Sequence, residues 1–233
     1  MALNITMNKI IKIGNWWFLE DDVTRFKNHA DTAWGEVVTN KLMVETIDHW
    51  FAGRTQRHAV DIGSNIGFMT AYFAQRWQHV TAFEPTPLIF DCLEKNCTRD
   101  NVDLKPMALS DKTDTVIFAV GKRSEINQIV SSADILSKHW SSIEVPAVTL
   151  DSLNLTDVDM IKIDVEGHEL SVLHGAEQTI RSQRPLIAIE ISFENKVLDK
   201  ELNKDHTTAL DLLCSWGYKQ IWHHQYDYIM EPA

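Results

Sequence analysis

From His58 to Ile191 the chain alternates two kinds of hydrophobic pattern. Short apolar runs at His58–Ile62, Val80–Phe83, Val102–Met107, Met160–Ile163 and Pro185–Ile191 have the length and continuity of buried strands. Between them, apolar positions recur every three or four residues: Phe68, Ala71, Tyr72 and Phe73; Leu88, Ile89, Cys92 and Leu93; Leu173, Ala176 and Ile180. That period is helical, so the spacing predicts helices from Phe68 to about Trp77, over Pro87–Asn96 and behind Met160–Ile163. Strands alternating with helices imply an α/β fold, a parallel sheet covered on both faces through right-handed crossovers. A polar stretch, Ser192 to His206, precedes one more helix through Leu210, Leu213 and Trp216, which Gly217 ends. Lys219–Trp222 and Tyr226–Met230 then flank His223-His224-Gln225 as a closing hairpin. Residues 112–150 break the rhythm: Val116–Val120 and Val145–Val148 read as extra strands around a polar loop, an insertion.

Ahead of the alternation, Ile10–Ile13, Gly14-Asn15 and Trp16–Leu19 predict a β-hairpin with a tight turn. Trp16, Trp17 and Trp34 could cap a substrate pocket, but aromatic residues packed as a lid on the core are the favoured reading. Glu36 to Phe51 has a helical apolar face (Val38, Leu42, Ile47, Trp50, Phe51), with Gly53 as its stop. The chain thus divides into an N-terminal extension, 1–56, and a main domain, 57–233.

With 233 residues, 44% of them hydrophobic, the chain can build one substantial core. Its 33 acidic against 22 basic residues leave a net charge of −11, which disfavours a polyanion such as DNA as partner. Cys92, Cys97 and Cys214 lack metal-binding spacing and read as free thiols of a reducing compartment. Asn4, Thr6, Asn8 and Lys9 interrupt any apolar leader, so neither a signal peptide nor a membrane span is expected. A soluble, cytoplasmic protein is the expectation.

The candidate site begins where the first strand of the alternation ends. Val60-Asp61-Ile62-Gly63-Ser64-Asn65-Ile66-Gly67 is a strand, a glycine turn and a helix start. In an open α/β sheet, ligands sit beyond such carboxyl ends. Gly63 and Gly67 can take positive φ and let a ligand lie against the backbone. The G-x-G-x-x-G dinucleotide fingerprint is absent, and so is the P-loop Gly-Lys-Ser/Thr. Asp61 would repel a pyrophosphate but suits an ammonium or sulfonium. Glu84 ends the second strand of the alternation, where an acidic residue accepts hydrogen bonds from ribose hydroxyls. S-adenosylmethionine fits this set, with Asp61 near its ammonium and Glu84 on its ribose.

These stretches, with Phe83-Glu84-Pro85, Ala108-Leu109-Ser110-Asp111, Ile161-Lys162-Ile163-Asp164-Val165-Glu166-Gly167-His168-Glu169 and Leu173-His174-Gly175-Ala176, resemble the FkbM family of S-adenosylmethionine-dependent methyltransferases over about residues 58–191. The resemblance implies a class I methyltransferase, Rossmann-like fold: a seven-stranded, mostly parallel sheet with an antiparallel last strand and helices on both faces. It implies a donor site of Asp61, Gly63, Ser64, Asn65, Gly67, Glu84, Pro85, Met107, Ala108 and Asp164. Met107 and Ala108 would lie along the adenine, with Ser110 or Asp111 reaching its amine. It also implies O-methylation of a hydroxyl on a sugar, glycan or small metabolite, while leaving the acceptor unnamed.

Asp164 ends the fourth strand of the alternation and should face the transferred methyl. Glu166 and His168 follow it as candidate catalytic residues, His168 as a general base neutral near pH 7. Against this stand plainer readings: first-turn electrostatics for Glu166 and Glu169, and an exposed helix residue for His168. Asp164 and Glu190 could together hold a divalent cation, but lacking a further clear ligand no metal is assigned. His223 and His224, adjacent on a strand, face opposite sides and are not a chelating pair. Two other classes compete with a methyltransferase: a catalytically silent S-adenosylmethionine-binding subunit and a nicotinamide-dependent dehydrogenase.

Overall fold

The computed structural model describes residues 9–22, 41–120, 127–130, 141–191 and 208–233. Trp34, the start of the helix expected from Glu36, and Ser192–His206 lie outside them. In chain order the elements are β1 (Ile10–Ile13), β2 (Trp16–Leu19), α1 (Lys41–Phe51), β3 (His58–Ile62), α2 (Phe68–Ala74), β4 (His79–Phe83), α3 (Pro87–Asn96), β5 (Val102–Lys105) and β6 (Ala108–Leu109). They continue with β7 (Asp114–Val120), β8 (Gln128–Val130), β9 (Ser141–Val148), β10 (Val158–Ile163), α4 (Glu169–His174), α5 (Glu177–Gln183), β11 (Leu186–Glu190), α6 (Ala209–Ser215), β12 (Tyr218–His224) and β13 (Asp227–Pro232).

Seven strands form the main sheet in the order β12-β13-β11-β10-β3-β4-β5. The sheet is mixed: β10–β11, β10–β3, β3–β4 and β4–β5 pair parallel, whereas β11–β13 and β12–β13 pair antiparallel. Side chains alternate across it. Val60, Ile62, Ile161, Ile163, Ile187 and Ile189 pack on one face with Val172 and Leu173 of α4, Ile180 of α5 and Leu213 of α6. Ala59, Val80, Met160 and Ala188 pack on the other with Met43 and Ile47 of α1 and Phe73 of α2. The central strands are apolar on both faces because both are covered.

The insertion contributes a second sheet, β6-β9-β7-β8. Val102–Met107, expected as one strand, splits. Pro106 has no N–H to give a ladder, the chain turns with Met107 N–H donating to the Lys105 carbonyl, and β6 pairs with β9 instead. The helix expected behind β10 also splits. A Cβ on Gly175 would lie 2.0 Å from the Ser110 carbonyl oxygen, so the chain passes close there. It restarts as α5 with Asp151 accepting from the N–H groups of Gln178 and Thr179, a cap donated by a distant segment.

Hairpin β1–β2 packs on the main sheet's flank. Trp16, Phe18 and Leu19 are buried against Ile66 and, on α3, Ile89 and Leu93. Asn96 of α3 clasps the hairpin, accepting from Trp17 N–H and donating to the carbonyls of Trp17 and Ile66. Trp16 is thus a core-packing residue, the favoured reading for it. Among the described residues no helix is long and apolar enough to cross a membrane.

Candidate active site

Parallel register decides which side chains share a face. Asp61 of β3 stands opposite Lys162 of β10 and Ala82 of β4, and Lys162 stands opposite Ala188 of β11. Two residues farther along, at the carboxyl ends, the same face carries Glu84, Asp164 and Glu190, and Asp227 joins as the partner of Glu190. Among the described residues, one rim of the sheet therefore carries five carboxylates and a single ammonium.

Lys162 is largely buried, its Nζ 2.9 Å from Asp164 Oδ2. Burial opposes its charge, yet Asp164 and Asp61 hold its pKa above the ordinary lysine value. Asp61 has 0% exposure. Its Oδ2 accepts from Thr70 Oγ1 at 2.6 Å, and its Oδ1 has no hydrogen-bond partner. Burial raises its pKa, against the pull of Lys162. Glu84, 6% exposed, accepts from Thr86 N–H on one oxygen and Asn65 N–H on the other. Burial pushes it up to about 7.

The turn after β10 adds a sixth acid. Glu166 takes left-handed φ 52° ahead of Gly167 at φ 96°. This brings its carboxylate to those of Asp164 and Glu190, ligand atoms of all three lying within 4.8 Å of one another. Glu166 is raised to about 8 by burial and by Asp164 and Glu190. Glu190 is also raised to about 8, by Asp164 first and burial second. Such crowding of like charges favours proton retention or an arriving cation. Glu166, brought in by its turn, thus places a third carboxylate beside Asp164 and Glu190. Glu169 is buried and accepts from Gly167 N–H, so it braces the turn as well as standing at a helix start.

His168 stands half-buried at the start of α4, its Nε2 2.9 Å from Ser110 Oγ. Burial lowers its pKa to about 4, so it is neutral through the neutral range. Ser110 Oγ also lies 3.0 Å from Asp111 Oδ1. The expectation that Ser110 reaches an adenine amine meets a hydroxyl already engaged twice; Asp111 alone of the pair is exposed.

Packing of the chain itself also requires the two glycines. A Cβ on Gly63 (φ +79°) would fall 1.8 Å from the Asp164 carbonyl oxygen, so this glycine lets β3 and β10 close together at their ends. Gly67 (φ +98°) is buried, and its Cβ would strike Cys97 Sγ and Leu93 Cδ1, so it lets α2 start against α3. Ser64 is buried too, its hydroxyl donating to the carbonyls of Asp61 and Phe83. Ala108 is buried in β6, whereas Gly63, Asn65, Pro85 and Met107 keep part of their surface at the rim.

A family model, the methyltransferase FkbM domain, matches residues 61–220, more than half of the chain. The chain belongs to the FkbM methyltransferase family. Among curated proteins, Methyltransferase 1 of Beauveria bassiana is 24% identical over 225 residues, covering 86% of this chain and 87% of that protein. Hexuronic acid methyltransferase AglP of Haloferax volcanii is 30% identical over 128 residues, covering 52% of this chain and 51% of AglP. A solved FkbM methyltransferase from Methylobacillus flagellatus matches at 19% identity and a TM-score of 0.49, covering 75% of this chain and 43% of that one. The chain is therefore a methyltransferase, and the acidic rim is its candidate active site.

Proposed function

We propose that this methyltransferase uses S-adenosylmethionine to methylate a hydroxyl of a sugar, glycan or small metabolite. The observation that carries the reading is the acidic rim around one lysine, with the unpartnered Asp61 oxygen beneath it. A donor bearing a sulfonium and an ammonium suits that excess of negative charge, whereas a pyrophosphate does not. When bound, this donor supplies a methyl group to an attacking oxygen and keeps the electron pair of the broken bond on its sulfur. Asp61 acts on the donor's positive end through the field at the rim. Glu84, whose two oxygens each keep a free lone pair after binding backbone N–H, holds the ribose. Gly63, Ser64, Asn65 and Gly67 shape the turn beside it, while Pro85, Met107 and Ala108 border the adenine. The chain then aligns two partners, and alignment is worth up to ~7–11 kcal/mol. Asp164 and Glu166 face the methyl, and His168 takes the acceptor's proton, a base contribution of typically ~10²–10⁴-fold. That AglP is a hexuronic acid methyltransferase supports a saccharide acceptor.

Calorimetry with S-adenosylhomocysteine tests the donor assignment. Tight binding is expected for the natural chain, with weakening of at least tenfold in Asp61→Ala and Glu84→Ala, about 1.4 kcal/mol. Equal affinity in all three would refute it. A screen with methyl-labelled donor over glycans, hydroxylated metabolites and amines then separates oxygen from nitrogen acceptors.

A further inference from the structure

Ser110 and Asp111 adjoin His168 at the edge of the rim. Ser110 Oγ lies 2.9 Å from His168 Nε2 and 3.0 Å from Asp111 Oδ1. A serine hydroxyl has one proton, and an ionised carboxylate only accepts. If Ser110 gave its proton to His168, its oxygen would face the Asp111 carboxylate lone pair to lone pair. Both contacts are hydrogen bonds in one arrangement only: Ser110 donates to Asp111, and His168 Nε2–H donates to Ser110. The imidazole nitrogen left proton-free is then Nδ1, which has no hydrogen-bond partner among the described residues.

We propose that Ser110 and Asp111 are positioning residues that hold His168 as its Nε2–H tautomer, so that Nδ1 is the atom receiving the acceptor's proton. Ser110 is itself clamped. Its N–H donates to the Val148 carbonyl, and its own carbonyl sits where a Cβ on Gly175 would have to go. Gly175 thus matters to the base from a distance, by letting the α4–α5 break approach Ser110. The chemistry suits a weak base. A hydroxyl oxygen gaining a methyl becomes far more acidic than an imidazolium, so its proton passes to Nδ1 as the new O–C bond forms.

The inference rests on the methyltransferase reading, yet its first test needs neither donor nor acceptor. Imidazole nitrogen shifts in nitrogen-15-labelled protein show which nitrogen bears the proton. The natural chain is expected to show Nε2–H. Asp111→Asn, at an exposed position, can turn an amide N–H toward Ser110 and so reverse the relay, shifting His168 toward Nδ1–H. Ser110→Ala is expected to give a mixture, and Asp111→Glu to restore Nε2–H. In turnover, Asp111→Asn should lower kcat about 10- to 100-fold. An Nδ1–H histidine in the natural chain, or nitrogen shifts indifferent to both variants, overturns the proposal. So does a full kcat in Asp111→Asn, and that turnover itself shows that the methyltransferase reading survives.

Discussion

Lys162 is the ammonium on which the acidic rim depends, touching Asp164 directly and acting on Asp61 and Glu190. Lys162→Met would strand those carboxylates, so it should destabilise the fold by ~3–5 kcal/mol at neutral pH, read by urea unfolding. Gly63→Ala should cost at least ~3 kcal/mol, because its Cβ meets backbone rather than a movable side chain and its φ is positive. Glu166 gives a signed pH test. Its pKa rises from 4.5 to about 8, so the folded chain binds more protons than the unfolded one across that window. Stability contributed there falls as pH rises from about 4.5 to about 8. Glu166→Gln should flatten that decline and stabilise the donor-free chain at pH 8, seen in the urea midpoint. Glu84, Asp164 and Glu190 were legible because each stands at the end of a strand, whereas Asp227 reaches the rim only because β13 pairs with β11. Lys162 was legible only as part of a motif; its role required knowing that β10 lies beside β3. The partnership of Ser110 with His168, 58 positions apart, leaves no local trace in the sequence.

At the scale of elements, local chemistry was most informative where it was self-contained. Hairpin β1–β2 and helix α3 have the limits read from the pattern, because a Gly-Asn turn and a proline at the helix start act on immediate neighbours. The misreadings arose where a distant segment intervened: β9 recruiting β6 past Pro106, and Ser110 with Asp151 dividing α4 from α5. Asn96 offers a test of the same long-range logic. Asn96→Ala removes three hydrogen bonds between α3 and its neighbours, each worth ~0.5–1.5 kcal/mol. Amide exchange across 10–19 should quicken markedly, while β3 stays as protected as before.

For the whole molecule, a parallel sheet covered by helices on both faces followed from the alternation of patterns, while its seven strands were implied by the family resemblance. The strand order needed the structure, since nothing local states that β13 enters between β11 and β12. Far from the rim, His58 ties the opposite end of the sheet, bonding the Thr156 carbonyl and Thr81 Oγ1. Burial lowers its pKa below 6.5, so the unfolded chain takes a proton first. The stability it contributes is whole above about pH 6.5 and drains away as pH falls through the folded value. Urea midpoints at pH 7 and pH 5 should therefore differ less in His58→Asn than in the natural chain.

The slot occupied by β13 has a consequence for biosynthesis. A ribosome delivers β11 and β12 before β13, yet neither touches the other in the finished sheet. Until residues 227–232 leave the exit tunnel, the nascent protein carries two raw edges facing an empty lane. A chain released after Gln225 should therefore be the species that chaperones hold and proteases find, even though almost every other strand of the sheet is already made.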